Sequence, residues 1–148
     1  MNIFELLGME PRKDTKVTQL VKHWDEVVDK HKGSDKVWGL QVKKDGVCTI
    51  TVVVDNTATM FSRTGKKFTN TEWIETSIEE LGLRDGVYMG ELTCDLVSLE
   101  VLSGMVNPNR VKPLDLERQV LVEKALEMHF FDLVSIESFI EGASQTPY

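Results

Sequence analysis

Only two cysteines, Cys48 and Cys94, occur in the 148 residues, and they form no CxxC pair. Three scattered histidines add little, so a zinc site lacks its usual ligand spacing and a disulfide scaffold lacks its cysteines. Both cysteines fall in predicted strands, where reduced thiols pack as small apolar groups. No apolar run approaches the roughly 20 residues that cross a bilayer, so no membrane partner is expected. The opening MNIFELLGMEPRKD lacks the basic start and long apolar stretch of a signal peptide, which predicts a cytoplasmic protein. Positive charge is also short: 17 Lys and Arg stand against 24 Asp and Glu, a net charge of −7. A protein that grips nucleic acid by itself carries a basic face. Either this chain does not bind nucleic acid, or the main grip lies elsewhere. Internal repeats, low-complexity tracts and domain linkers are lacking too, which leaves one unit of ordinary globular composition, 41% hydrophobic and 28% charged.

Residues 1–13 read as irregular. From Asp14 or Thr15, apolar positions Val17, Leu20, Val21, Trp24, Val27 and Val28 recur at helical spacing, with Gly33 as the stop. A strand is expected near Val37–Lys43, then a β-branched run, Val47–Asp55, buried on both faces. Asp55-Asn56-Thr57 supplies turn chemistry, and Thr59–Ser62 is its hairpin partner. A second helix over Thr71–Leu81 carries Trp73, Ile74, Ile78 and Leu81 on one side, ending at Gly82. A strand follows at Gly86–Thr93, a short helix at Leu96–Leu102, a loop over 104–113, a helix from Leu114 to Leu126 and a last strand at Met128–Ser135. The tail, EGASQTPY, shows no cap or stop. Mixed strands and helices with hairpins predict an α+β fold, a largely antiparallel sheet with flanking helices.

Several polar residues fit this scaffold poorly. Lys43-Lys44-Asp45-Gly46 places lysines in a predicted strand, where lysine is depleted. Taken alone, a lysine followed by an Asp-Gly turn is common. A lysine part-buried beside other cations, however, loses its proton more readily and becomes a nucleophile, and Gly46 would let a substrate approach the backbone closely. In 62-SRTG-65, Arg63 is either a solvated turn residue or a grip for phosphate or a ribose hydroxyl. Glu91, within 87-VYMGELTC-94, needs a partner if buried: metal, hydroxyl or cation. In 129-HFFDLV-134, adjacent phenylalanines alternate faces, one for the core and one for a cleft.

These four segments, in this order, resemble the covalent nucleotidyltransferases: ATP-dependent DNA ligases, RNA ligases and capping enzymes. Small viral and phage DNA ligases are the nearest likeness. KKDG resembles the family's Lys-x-Asp-Gly nucleophile motif, SRTG its Ser-Arg motif, YMGEL its Asp-Gly-Glu motif and HFFDLV its aromatic-Asp motif; 98-SLEVLSGMVNPNR-110 is ligase-like but less specific. The likeness runs from about Val37 to Tyr148. It implies that residues 1–148 form the N-terminal portion of a nucleotidyltransferase (ATP-grasp-like ligase) adenylation domain, with no OB domain. The family's later Glu-Gly and Lys-x-Lys motifs find no match, so the expectation is a ligase subunit or fragment that works with a second polypeptide carrying those motifs and the OB domain. Two positions depart from the pattern: Cys48 where the family has an arginine, and Met89 where it has an acid.

The resemblance also implies a chemistry. Lys43 would take AMP from ATP, with Mg2+ screening the triphosphate, for transfer to nicked DNA; Asp45 would orient Lys43 or help hold metal and phosphate. Gln41 would lie near the adenine edge and Phe131 would stack on the ring, leaving Phe130 to the core. Arg63 and Glu91 would meet ribose or substrate phosphate, with Glu91 also the candidate metal ligand. Lys44 is expected to be a solvated spacer. The alternatives are an RNA ligase or capping-type nucleotidyltransferase, a non-catalytic relic or scaffold subunit, and a structural α+β domain with coincidental motifs.

Overall fold

The computed structural model describes residues 1–12, 28–30, 32–33, 35, 39 and 41–142. The helix expected from Asp14 falls mostly outside these residues; 28–30 are helical, and Gly33 takes a left-handed φ of 73°. Of the strand expected at Val37–Lys43, residues 37, 38 and 40 also lie outside. The described part, 39 and 41–43, has no regular structure, nor have residues 44 and 45. Lys and Asp are poor strand formers, and Gly46 weakens any continuation of a ladder.

The sheet starts with β1 (Val47–Val54) and β2 (Thr57–Ser62), paired antiparallel. Asp55 and Asn56 join them with φ of 49° and 58°, the left-handed values that a tight hairpin turn requires. The opposite side of β1 pairs antiparallel with β3 (Gly86–Thr93), which pairs antiparallel with β4 (Glu127–Val134). The strand order is β2-β1-β3-β4. The fold is therefore α+β, an open, four-stranded antiparallel sheet with helices on both faces.

Strand alternation divides the core in two. Val53, Met60, Tyr88 and Leu92 face a layer built by α2 (Glu72–Glu80), α3 (Leu99–Val106) and α4 (Leu116–Lys124), through Ile74, Ile78, Leu102, Met105, Val106 and Val122. Ile50, Val52, Phe61, Val87 and Met89 face the other way, against Ile3 and Phe4 of α1 (Ile3–Leu7) and Phe139 of α5 (Ile136–Glu141). Burying each such side chain contributes about 1.5–3 kcal/mol, which is what keeps helices as short as α1 and α5 folded.

Helix α1 lies where irregular chain was expected, and α5 where no element was expected. Asn2 and Glu5 form a capping box: Asn2 Oδ1 accepts the Glu5 N–H at 2.9 Å, and Glu5 Oε2 accepts the Asn2 N–H at 3.1 Å. Ser135 Oγ accepts the Ser138 N–H at 3.1 Å to open α5, and Gly142, φ 84°, closes it. Helix α3 also extends through Gly104-Met105-Val106, assigned above to a loop, because Met105 and Val106 are core residues.

Helix α2 is present with a different inward face from the one expected. Ile74 and Ile78 are buried, but Trp73 is 55% and Leu81 68% exposed. Glu75 and Glu79 take the inner positions. Glu75 Oε1 accepts the Met60 N–H and Glu79 Oε1 the Ala58 N–H, each at 2.9 Å. The helix thereby satisfies backbone donors on the outer edge of β2, a device that closes a strand edge to further pairing.

Candidate active site

The register of the sheet brings distant segments into line at one end. Cys48 on β1 is opposite Glu91 on β3, and Glu91 is opposite His129 on β4. Direct cross-strand neighbours on one face stand about 4.5–5.5 Å apart at Cβ. On the other side of β1, Thr49 pairs with Ser62, so Arg63, the next residue, comes up beside Cys48. A rank Arg63–Cys48–Glu91–His129 thus crosses the sheet on the face that, farther along, carries Ile50 and Met89.

The electrostatics agree with this placement. Burial pushes the Cys48 thiol above its ordinary value, Glu91 adds to that, and the Arg63 guanidinium opposes it. Burial also raises the Glu91 carboxyl; Lys43 pulls it back down and Asp45 pushes it up. Lys43, Asp45, Cys48, Arg63 and Glu91 therefore share one electrostatic neighbourhood although 48 residues of sequence separate Lys43 from Glu91.

Three expectations change here. Lys43 is exposed rather than part-buried, and its field acts on the Glu91 carboxylate rather than lying among cations. Gly46 serves β3: a Cβ there would run into the Leu92 carbonyl oxygen and stand 2.9 Å from Thr93 Cγ2. The close backbone approach that needs glycine is thus the neighbouring strand's own. Cys94 is buried, as a core thiol should be, but Cys48 is half-exposed in the polar rank; both are free.

A cleft of about 460 Å³ opens at this end of the sheet, lined by Gly46, Cys48, Arg63, Thr64, Lys66, Glu91 and, across from them, Ser103, Asn107 and Asn109. Lys43, Asp45, Gln41 and Phe131 do not line it. Gln41, Lys43 and Asp45 lie in the exposed segment leading into β1. Phe131 is on β4, where Met89 pairs with Asp132 and Gly90 with Phe130, leaving Phe131 as the extra residue of a β-bulge. It is 41% exposed, while Phe130 packs on Tyr88 with ring centroids 5.1 Å apart. Phe130 takes the core side, as expected of one of the two rings, while Phe131 is exposed and does not line the cleft expected for the other. Gly90 makes the bulge possible, since a Cβ there would strike Met128 Cε and the His129 carbonyl oxygen.

His129 was not singled out from the sequence. Its Nε2 shares a 3.1 Å hydrogen bond with Thr93 Oγ1 and lies 3.5 Å from Glu127 Oε2. Only the strand register points from His129 to Glu91; nothing in the local sequence does. At the departing position Met89, the side chain is buried in the apolar half, paired with Ile50 and Asp132. Among the described residues no group of three or more His, Cys, Asp or Glu converges as a metal site, and no helix is long and apolar enough to cross a membrane.

A four-stranded antiparallel sheet with a cation, a carboxylate and a lysine gathered at one end is compatible with a ligase-like domain. Two solved structures are similar to it. The chain is 29% identical to the one named Pmar-Lig_PreS3, at a TM-score of 0.51 over 68% of this chain and 22% of that one. It is 28% identical to Pmar-Lig_Pre. over the same shares, at a TM-score of 0.49. Their names mark ligases, and the first likeness supports a ligase-like fold for the matched part. The chain spans about a fifth of the length of these structures. No protein-family model and no curated protein matches it.

Proposed function

We propose that this chain provides the nucleotide-accepting part of an ATP-dependent DNA ligase. The observation that carries the reading is the convergence of Lys43, Asp45, Arg63 and Glu91, from three separate segments, on one end of the sheet. The ligase-named neighbour supports the class.

On this reading the Lys43 Nζ lone pair attacks the α-phosphorus of ATP. The bond to the bridging oxygen breaks, pyrophosphate leaves and the amine proton passes to solvent, giving a lysyl-AMP phosphoramidate. The 5′-phosphate of nicked DNA then displaces Lys43 from that phosphorus. Attack by the adjacent 3′-hydroxyl expels AMP and closes the strand. In such transfers positioning and charge neutralisation dominate. Arg63 supplies the fixed cation, Glu91 accepts from a ribose hydroxyl, and Asp45 keeps Lys43 near the cleft. Gln41 and Phe131 contribute adenine contacts. Asp45 and Glu91 are hard oxygen donors suited to magnesium, which takes one or two carboxylates together with substrate phosphates and would supply charge neutralisation there.

The partners proposed are nicked DNA and a polypeptide carrying the Glu-Gly and Lys-x-Lys motifs with an OB domain. Donors aimed at developing charge are worth about 10²–10³-fold in rate each, so sealing by these 148 residues alone should be undetectable. The test is incubation with ATP labelled at the α-phosphate, with and without that polypeptide, followed by peptide mass spectrometry. AMP on Lys43, lost in Lys43→Ala and retained in Lys44→Ala, is the expected result. AMP on Lys44 would refute the site, labelling by GTP alone would favour the capping-type alternative, and no label with the partner present would favour the non-catalytic one.

A further inference from the structure

A second cleft, of about 510 Å³, continues from the first, sharing Lys66, Phe68 and Pro108 with it. Its lining carries Lys66, Lys67, Arg110 and Lys112 beside the Met1 end, against a single acid, Glu72. In a chain of net charge −7, this lining is a local reversal of sign.

The walls of this cleft are stitched together. Thr69 N–H donates to the Val106 carbonyl at 3.1 Å, Thr69 Oγ1 to the Asn107 carbonyl at 2.8 Å, and Asn70 Nδ2 to the Met105 carbonyl at 2.8 Å. These carbonyls end α3, where the helix dipole would otherwise turn an anion away; here they are occupied by donors. Arg110 is pinned from behind, with Nε donating to the Lys112 carbonyl at 2.8 Å and Nη1 to the Gly104 carbonyl at 3.1 Å. A guanidinium has five N–H donors, so pinning by these two bonds leaves donors for a ligand at a fixed position. Asn107 shapes the loop as well, its Oδ1 accepting the Asn109 N–H at 2.8 Å.

We propose that this groove holds the phosphodiester backbone of the nucleic-acid strand leading away from the site, with phosphates passing from Arg63 over Lys66 to Lys67, Arg110 and Lys112. The assignment rests on the ligase reading for its choice of polyanion. It gives the acidic chain a nucleic-acid contact of its own, and the recognition is of backbone phosphate, not of base sequence. A triphosphate tail shares this chemistry, and the arms of the experiment separate the two.

The probe is a fluorescently labelled duplex containing a 5′-phosphorylated nick, titrated with the full chain over a range of NaCl concentrations. Lys112→Ala is an exposed change and Lys67→Ala a half-buried one, and neither side chain makes any of the wall hydrogen bonds. Each should weaken binding severalfold and lower the slope of log affinity against log salt by about 1, as loss of one phosphate contact does. Lys124→Ala, on α4 and outside both clefts, should change neither. Unchanged slopes in both groove variants would overturn the proposal. So would an equal loss of ATP binding, which would assign the cleft to a triphosphate. Formation of lysyl-AMP on Lys43 is scored separately, so failure of the groove and failure of the ligase reading give different results.

Discussion

Two successive ranks on one sheet face differ where β1 and β3 carry them, although Asp132 of β4 stands opposite Met89 in the first. Phe61, Ile50 and Met89 form the first, each 8% exposed or less, beneath Ile3, Phe4 and Phe139. Two positions along, Arg63, Cys48, Glu91 and His129 form the second, and the cleft at this end of the sheet reaches Arg63, Cys48 and Glu91. The β1–β3 ladder continues through both, so its hydrogen bonding cannot account for the change there. What differs is the cover. Where α1 and α5 lie on the sheet, a polar side chain would have to be desolvated without a partner; where they stop, the same face is free to hold charge. The fold thus uses one half of the face for stability and leaves the other open to polar and charged side chains.

The largest effect that could break this comparison is a cavity in the apolar half. Phe61 is fully buried between β1 and α1, and Phe61→Ala should cost about 3–5 kcal/mol. Chemical denaturation of the two proteins measures it. A loss below 1 kcal/mol would mean that α1 does not hold that half of the face together.

The next effect belongs to the bulge. Phe131 is 41% exposed, so Phe131→Ala should leave the denaturation midpoint nearly unchanged. If the ring stacks on adenine, the same change should weaken ATP use by about 1–3 kcal/mol, while Phe131→Tyr is tolerated. ATP titration of a variant shown to be folded decides between stacking and packing. Destabilisation with unchanged ATP affinity would assign Phe131 to the core.

How much of this was legible from residues alone follows the same division. The hairpin was readable because Asp55-Asn56 carries its own turn chemistry, and the antiparallel order followed from closely spaced strands. Helices α1 and α5 were missed because they are shorter than any periodic pattern reveals; their caps, Asn2-x-x-Glu5 and Ser135 with Gly142, were the available signals. Trp73 and Leu81 were assigned inward because hydrophobicity alone cannot foresee that Glu75 and Glu79 will be drawn in by the edge of β2. At the site, the motif residues could be named one by one through their resemblance to a family. The neighbourhood linking Glu91 to Lys43, Cys48, Arg63 and His129 is a property of register, set by pairings across the whole chain. The Phe131 bulge was hidden in the same way, although Gly90 marks the strand opposite it.

The smallest effect separates the two ranks by sign. Burial raises the Glu91 carboxyl in the folded chain, so folding favours its protonated form relative to the unfolded chain. Ionised Glu91 therefore costs stability at pH values above its raised folded-state value, and the cost vanishes as pH falls below the ordinary carboxylate range. Glu91→Gln removes that cost. It should be slightly more stable than the parent at neutral pH, by about half a kcal/mol or less because solvent screens the half-exposed group, and the difference should fade in acid. Melting curves of both proteins across that range measure it. AMP transfer should move the opposite way, since an amide cannot supply the charge of a carboxylate to a hydroxyl or to magnesium. Cutting into Phe61 loses stability and function together, whereas Glu91→Gln gains a little of one and loses the other. A variant that lost stability at neutral pH would show that Glu91 serves the fold, and would remove the distinction between the two ranks.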